Sequence, residues 1–452
     1  MTLPTALSFR RTLRHTPLGL MACASVGVAL LTSGIGAQGA APTFAKDVAP
    51  ILYRNCTSCH RPGGLGPMSL ISYEDARSVA SDMRDAVGSG FMPPWHADSP
   101  HGTFVNDRRL SDADIKAILA WVDGGTPSGD AKDLPAVPSY SGSWSTGTPD
   151  LVVGMSAAYM VPAKGTVEYQ YFEVPTKLTE DKWVQSIEIM PGARPVVHHV
   201  LVFARAPSVT PPAPAAAGAP RPTPLLLRRD DQSVPENSPG PDGKQRELGA
   251  LVATTAPGTN VLTLPPGTAL RLRAGTVLTF QMHYTAHGEA MADSTRVGIV
   301  FAKEAPAEEI RASSFQNGQF VIPAGADGHR VPAEIGFREA VHVWGLFPHT
   351  HVRGKKWEYR LVHPDGRSEM ILSVPNYDFN WQTYYMFAKP LAIPAGARIE
   401  SFAWYDNSAK NPANPDASKE VRWGDQTWEE MQYTGLLYSV DSRRLTVRPP
   451  RQ

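Results

Sequence analysis

The hydrophobic period of this chain changes partway along, and that change excludes any single-class fold. Between residues 43 and 126 the apolar residues recur at helical spacing. Phe44, Val48, Ile51 and Leu52 form one stripe, and Ser72 starts a second helix running to about Val87. Ser111 is placed as an N-cap, followed by Asp114, the apolar residues Ile115, Ile118, Leu119 and Val122, and a Gly124-Gly125 stop. From Asp130 to about Pro149 the chain is rich in Pro, Ser and Gly, as linkers are. Beyond it the period becomes that of strands, in Val167–Val174 and around Trp183–Ile189, Val196–Phe203, Leu270–Tyr284, Val297–Phe301, Val341–Phe347, Trp357–Val362 and Arg398–Trp404. Turns such as His363-Pro364-Asp365-Gly366 separate them. A β region of about 300 residues is too large for one sandwich and suits two. The expected architecture is therefore multidomain: a small all-α domain at 41–130, a linker at 131–149, and two all-β antiparallel sandwiches at 150–305 and 306–452. Residues 206–246, Pro/Ala-rich and then polar, carry neither period and read as a long surface excursion.

Residues 1–40 follow a different order. Arg10, Arg11 and Arg14 precede an apolar run from Leu18 to Ile35, which ends in small residues with a cleavage point near Ala37 to Ala40. That order predicts an export signal and a periplasmic or secreted protein. A permanent membrane anchor is the alternative, but the stretch is weakly hydrophobic for a spanning helix, and no later run predicts a span in the mature chain. The 43 basic and 43 acidic side chains balance, which argues against a nucleic-acid partner and favours small molecules or proteins. Of 3 cysteines, Cys23 falls within the leader, so none remains for structural disulfides once Cys56 and Cys59 are assigned to one motif.

That motif is Cys56-Thr57-Ser58-Cys59-His60. In an exported chain, Cys-x-x-Cys-His predicts one covalent haem c, its vinyl groups joined to both thiols and its iron held by His60. A zinc or redox Cys pair is the competing reading; the first needs two more ligands nearby and the second a thioredoxin-like unit. For the sixth iron ligand, Met92 in Phe91-Met92-Pro93-Pro94-Trp95 resembles the methionine of small class I cytochromes c; Met68, Met83 and His96 are rivals.

A second constellation lies in the β region. His349 and His351 sit two apart on an apparent strand, so both imidazoles project from one face and can share a metal. His198 and His199 are neighbours, and on a regular strand they point to opposite faces; they converge only where the strand twists or ends. With Met431 these residues make an imidazole and thioether set that suits copper, above all Cu(I).

Four motifs occur together and in order: Val197-His198-His199-Val200-Leu201, Gln281-Met282-His283-Tyr284, His349-Thr350-His351-Val352-Arg353-Gly354-Lys355 and Glu429-Glu430-Met431. Over residues 150 to 440 the chain thereby resembles the copper type II, ascorbate-dependent monooxygenases, the peptidylglycine α-hydroxylating and dopamine β-monooxygenases. The resemblance implies jelly-roll-like sandwiches and two coppers, an electron-storing one on His198, His199 and His283 and an oxygen-activating one on His349, His351 and Met431. It implies hydroxylation of a C–H bond of a small-molecule substrate by O2. Electrons would come from a periplasmic donor through the fused cytochrome domain in place of free ascorbate. His287 has no role in the family pattern. The animal enzymes use disulfides that this chain lacks, and the family's substrate-binding residues have no clear counterpart here. A non-enzymatic electron-transfer or copper-binding protein is the alternative. Tyr284, Trp344, Tyr384 and Tyr385 are sandwich core, a substrate pocket or an electron path.

Overall fold

The computed structural model describes residues 41–62, 64, 66–98, 100–139, 144–205, 226–228, 249–255 and 261–441. The expected leader at 1–40 and most of the 206–246 excursion lie outside these residues.

The protein is predominantly β-sheet, and its helices fall between residues 44 and 133. A π-helical turn at Phe44–Val48 runs into a helix at Ala49–Asn55. The helix expected from Ser72 to Val87 is two, Tyr73–Ser78 and Ala80–Gly88, because β-branched Val79 leaves helical geometry at φ −117° and ψ 19°. Ser72 and Ser111 both cap as expected, accepting from the N–H groups of Asp75 and Asp114. Phe44, Val48, Leu52, Ala76, Ile118 and Trp121 form the core between these helices.

After the Ala80–Gly88 helix the chain leaves this core. Trp95, Ala97 and Phe104 pack instead into the core of the C-terminal β region. Phe104 bridges Phe387, Asp98 N–H donates to Ser373 C=O at 2.8 Å, and Val105 N–H donates to Met386 C=O at 2.9 Å. The 131–149 stretch is likewise tied down where it ends. The carboxylate of buried Glu188 accepts from the N–H groups of Ser145 and Thr146 at 2.8 and 3.1 Å.

A nine-stranded sheet runs from Leu151–Gly154 at one edge to Tyr385–Ile393 at the other. Two smaller sheets cover it. A four-stranded sheet of Gln170–Pro175, Val277–Tyr284, Val197–Arg205 and Ala250–Thr255 packs through Val200, Val202, Leu278 and Phe280 against Val184, Ile187, Val297 and Ile299. The second, containing Gly354–Val362, Arg398–Asp406 and Asp327–Phe337, packs through Val331, Trp357 and Ala403 against Val343, Leu346 and Leu436. Two apolar cores result. The nine-stranded sheet passes through both, because Glu308–Gln316 pairs in parallel with Thr268–Leu272 across the 305/306 boundary.

The run expected as one strand from Leu270 to Tyr284 is two strands in different sheets. Gly275, at φ +73°, turns the chain between Thr268–Leu272 and Val277–Tyr284. No helix among the described residues is long and apolar enough to cross a membrane.

Candidate metal centre

The Val197–Arg205 strand pairs with Val277–Tyr284 in a register that slips at one place. His199 faces His283, but Val197 faces Tyr284, so His198 is the extra residue of a β-bulge. A bulge bends its strand and re-aims a side chain. Here it lets two consecutive histidines converge, the condition that the sequence left open.

The three imidazoles meet through their Nδ1 atoms. His198 Nδ1 lies 3.1 Å from His199 Nδ1, which lies 3.3 Å from His283 Nδ1. His198 Nε2–H donates to Asn380 Oδ1 at 3.1 Å, so its Nδ1 presents a lone pair to this space. His283 Nε2 is within 3.2 Å of Thr427 Oγ1. Burial lowers the pKa of all three rings, furthest for His199 and His283, so they stand neutral. An N–H at His199 Nδ1 can serve only one of these two neighbours well, which leaves the other Nδ1 beside it without a good partner. A cation resolves the conflict: tetrahedral bonds of about 2.0–2.1 Å separate ligand nitrogens by roughly 3.3 Å. Together His198, His199 and His283 have their ligand atoms within 4.8 Å of one another.

The second set lies beside the first. The strand Val341–His349 ends at His349, and His351 follows in the turn rather than on the strand as expected. The two rings nonetheless stay adjacent, with centroids 5.3 Å apart. Each has one nitrogen fixed by an acceptor. His349 Nδ1–H donates to Gln382 Oε1 at 2.7 Å, and His351 Nδ1–H donates to the Glu429 carbonyl at 3.1 Å. His351 Nε2 is then buried without a hydrogen-bond partner, as a ligand nitrogen is before its metal arrives. Burial pulls the pKa of His349 down to about 4 and that of His351 to about 3.

Met431 is held against the same turn by Glu430. The fully buried Glu430 carboxylate accepts from the N–H of His351 and of Arg353, each at 2.7 Å, and from Met431 N–H at 3.3 Å. Burial pushes its pKa up to about 8 against those three donors and the Arg353 guanidinium. Tyr405 OH fixes the Met431 carbonyl at 2.7 Å.

Several residues of the site carry no sequence signal. Phe379 lies with its ring centroid 5.2 Å from His198, 5.8 Å from His199, 6.0 Å from His283 and 6.0 Å from His351. Buried Tyr169 touches His199, His283 and His351 at 5.6, 4.8 and 6.2 Å. His199 and His349 are themselves only 6.3 Å apart by centroid. Both histidine sets therefore open on one shared aromatic wall. Phe379, Asn380 and Gln382 belong to a loop before Tyr385–Ile393 that the strand reading passed over. Tyr169 was visible only as one member of an alternating run.

Of the other aromatics, Tyr284 donates to Asp293 at 2.9 Å, Trp344 donates to Ser439 at 2.9 Å, and Tyr384 and Tyr385 are buried in the two β cores.

The Cys56-to-His60 segment follows the Ala49–Asn55 helix. Both cysteines are unpaired, and burial together with Cys59 pushes the Cys56 thiol up to about 12. Burial lowers the His60 pKa. Gly66 runs so close to the His60 ring that any Cβ would overlap its Nδ1. Met92 N–H donates to Ala86 C=O at 3.0 Å. Among the rivals, Met83 lies in the helical core, Met68 packs against it, and His96 has its pKa lowered by burial.

No family model matches this chain, and no curated protein does. Among solved structures, it is similar to the major capsid protein P2 of bacteriophage PM2 at 8% identity and a TM-score of 0.27, over 64% of this chain and 96% of that one. The VP2 subviral particle of infectious bursal disease virus matches at 12% identity and a TM-score of 0.19, over 67% and 75% of the two chains. An allantoicase matches at 8% identity and a TM-score of 0.16, over 55% of this chain and 79% of that one.

Proposed function

We propose that this chain is an exported, copper-dependent monooxygenase that hydroxylates a substrate C–H bond with O2 and receives its electrons through a covalently attached haem c. The observation that carries the reading is the gathering of His198, His199 and His283 beside His349 and His351, with the Met431 main chain tied to His351 through Glu430. Packing needs no such assembly of neutral imidazoles, and three nitrogens beside two nitrogens and a thioether is a donor set that suits copper.

In this reading His198, His199 and His283 hold one copper and His349, His351 and Met431 the other. Bound copper supplies one-electron redox chemistry and activation of O2. The chain does the rest. Asn380, Gln382 and the Glu429 carbonyl each hold one ring nitrogen of a ligand, which fixes its tautomer and its direction. Glu430 locks the turn carrying His351 and the approach of Met431. Burial of His199, His349 and His351 at 1%, 2% and 0% exposure keeps water from the reacting atoms. At the other site the thiols of Cys56 and Cys59 would form the haem thioethers and His60 would hold the iron, with Met92 as the candidate sixth ligand. Their unpaired sulfurs, and a glycine where the His60 ring passes, fit that group. A small-molecule substrate, O2 and a periplasmic electron donor are the partners.

The test is His351→Ala in protein freed of adventitious metal and reloaded with copper. Substrate hydroxylation and substrate-dependent oxygen uptake are expected to disappear while the haem spectrum stays as it was. Hydroxylation at the normal rate contradicts the assignment. Should the wild-type protein take up no oxygen with any substrate, the alternative of a non-enzymatic electron-transfer or copper-binding protein stands.

A further inference from the structure

One short turn supports a ring of each histidine set. Thr427 Oγ1 lies 3.2 Å from His283 Nε2, and the Glu429 carbonyl, two residues on, lies 3.1 Å from His351 Nδ1. With Nδ1 of His283 turned to a metal, Nε2 carries the ring's hydrogen and Thr427 accepts it. The two supports are built to move together. Gln426 N–H donates to the Glu429 carboxylate and Glu429 N–H donates back to the Gln426 carbonyl, each at 2.9 Å, which closes residues 426–429 into one unit. Gly424 passes so near that any Cβ would overlap the Glu429 carboxylate.

Both ends of the unit are fastened. Towards the His283 strand, Gln426 Oε1 accepts from Tyr169 N–H at 3.3 Å and Asp425 accepts from Tyr171 OH at 3.3 Å. Tyr171 OH in turn accepts from Gln281 Nε2 at 2.8 Å, two residues before His283 on the same strand. On the other side, Arg353 donates to the Trp428 carbonyl at 3.0 Å, and the chain runs straight into Glu430 and Met431. The 378–382 loop also serves both sets, through Asn380 on His198 and Gln382 on His349. There, however, Asn380 is set by its own two bonds to Asp378 at 2.8 and 2.9 Å, so its supports are anchored separately.

We propose that the 426–429 turn couples the two ligand sets: metal held by His349, His351 and Met431 fixes the turn, places Thr427 against His283, and so tightens metal binding by His198, His199 and His283. Thr427 is the positioning residue. The inference rests on the two-copper reading above. Such coupling is reciprocal, so metal on the three histidines tightens the second site by the same factor. One outer hydrogen bond to a metal-bound histidine contributes about 10–100-fold in affinity, and that bounds the effect.

The test is a mutant cycle in the full-length protein, read as the Cu(I) affinity of the three-histidine set by chelator competition. His349→Ala/His351→Ala, which keeps the second site empty, is expected to weaken that set about tenfold without emptying it. Thr427→Val with the second site filled is expected to weaken it by a similar factor, and Thr427→Ser to restore it. Thr427→Val added to the double variant is expected to cost little more. Unchanged affinity in the double variant overturns the proposal, as do losses that simply add. If Thr427→Val does not fold, reciprocity decides: His198→Ala/His199→Ala weakens the second site by the same factor, and a second site left at its wild-type affinity overturns the coupling. Failure of the wild-type protein to bind two coppers overturns the two-copper reading itself and shows in the first titration.

Discussion

Gln382→Leu isolates what a single supporting contact does for His349, a proposed metal ligand. Gln382 is 1% exposed, its Oε1 accepts from His349 Nδ1–H at 2.7 Å, and its Nε2 donates to the Phe379 carbonyl at 3.1 Å. Leucine fills a similar volume but accepts nothing. The His349 ring then loses the bond that fixes its tautomer, and a buried N–H left unpaired costs about 1–3 kcal/mol. Loss of an outer hydrogen bond to a metal-bound histidine typically weakens metal affinity about 10–100-fold. At RT ln 10 per decade that is about 1.4–2.7 kcal/mol, in agreement with the desolvation figure. The assay is competition between the metal-free protein and a Cu(I) chelator, read separately for the two sites. The His349/His351 site is expected to weaken by that factor while the three-histidine site keeps its affinity. Gln382→Glu, which restores an acceptor, should recover most of the loss. Unchanged affinity at both sites would refute the argument that Gln382 orients a ligand.

Glu430→Gln puts an amide NH2 against backbone N–H groups of His351, Arg353 and Met431, so at least one donor loses its acceptor; destabilisation of about 1–3 kcal/mol is expected in urea unfolding of the metal-free protein. In that metal-free protein His349 and His351 hold pKa values of about 4 and 3, below the unfolded value of 6.5, so the unfolded chain binds more protons on acidification. Their contribution to stability is full above pH 6.5 and is lost as the pH falls through 4 and 3, seen as a falling urea midpoint that His349→Ala/His351→Ala flattens. The Glu430 carboxyl, raised to about 8 from 4.5, works in the opposite sense, with its contribution lost as the pH rises from 4.5 through 8, so Glu430→Gln flattens that limb. His198→Ala removes one of three Nδ1 donors and should lower bound copper from two to one per chain by elemental analysis.

The change from helical to strand period was legible in the sequence because it depends only on which residues are apolar, and the observed helices and sheets follow it. The strand break at Gly275 was not, because Leu270 to Tyr284 alternates straight through a turn that carries its halves into different sheets. The convergence of His198 and His199 also lay beyond reach. It depends on a bulge, and a bulge is a property of the pairing with Val277–Tyr284 rather than of either strand alone. His349 and His351 were paired for a partly mistaken reason: they meet at a strand end and turn, where Glu430 fixes the backbone. Glu430 stood in the sequence beside Met431, yet its grip on three N–H groups appears only when the turn and the Tyr433–Val440 strand are side by side. Phe379, Asn380 and Gln382 come from a loop with no periodicity, and nothing local marks a loop residue as a ligand's support.

The most direct test of the central claim is cofactor stoichiometry in the purified protein, stripped of adventitious metal and reloaded with copper, by elemental analysis together with a haem spectrum after acid-acetone extraction. The account predicts one haem that stays with the polypeptide and two coppers per chain, one of them lost in His198→Ala and the other in His351→Ala. Haem that extracts freely, or a single metal whose loss follows either substitution equally, would contradict it.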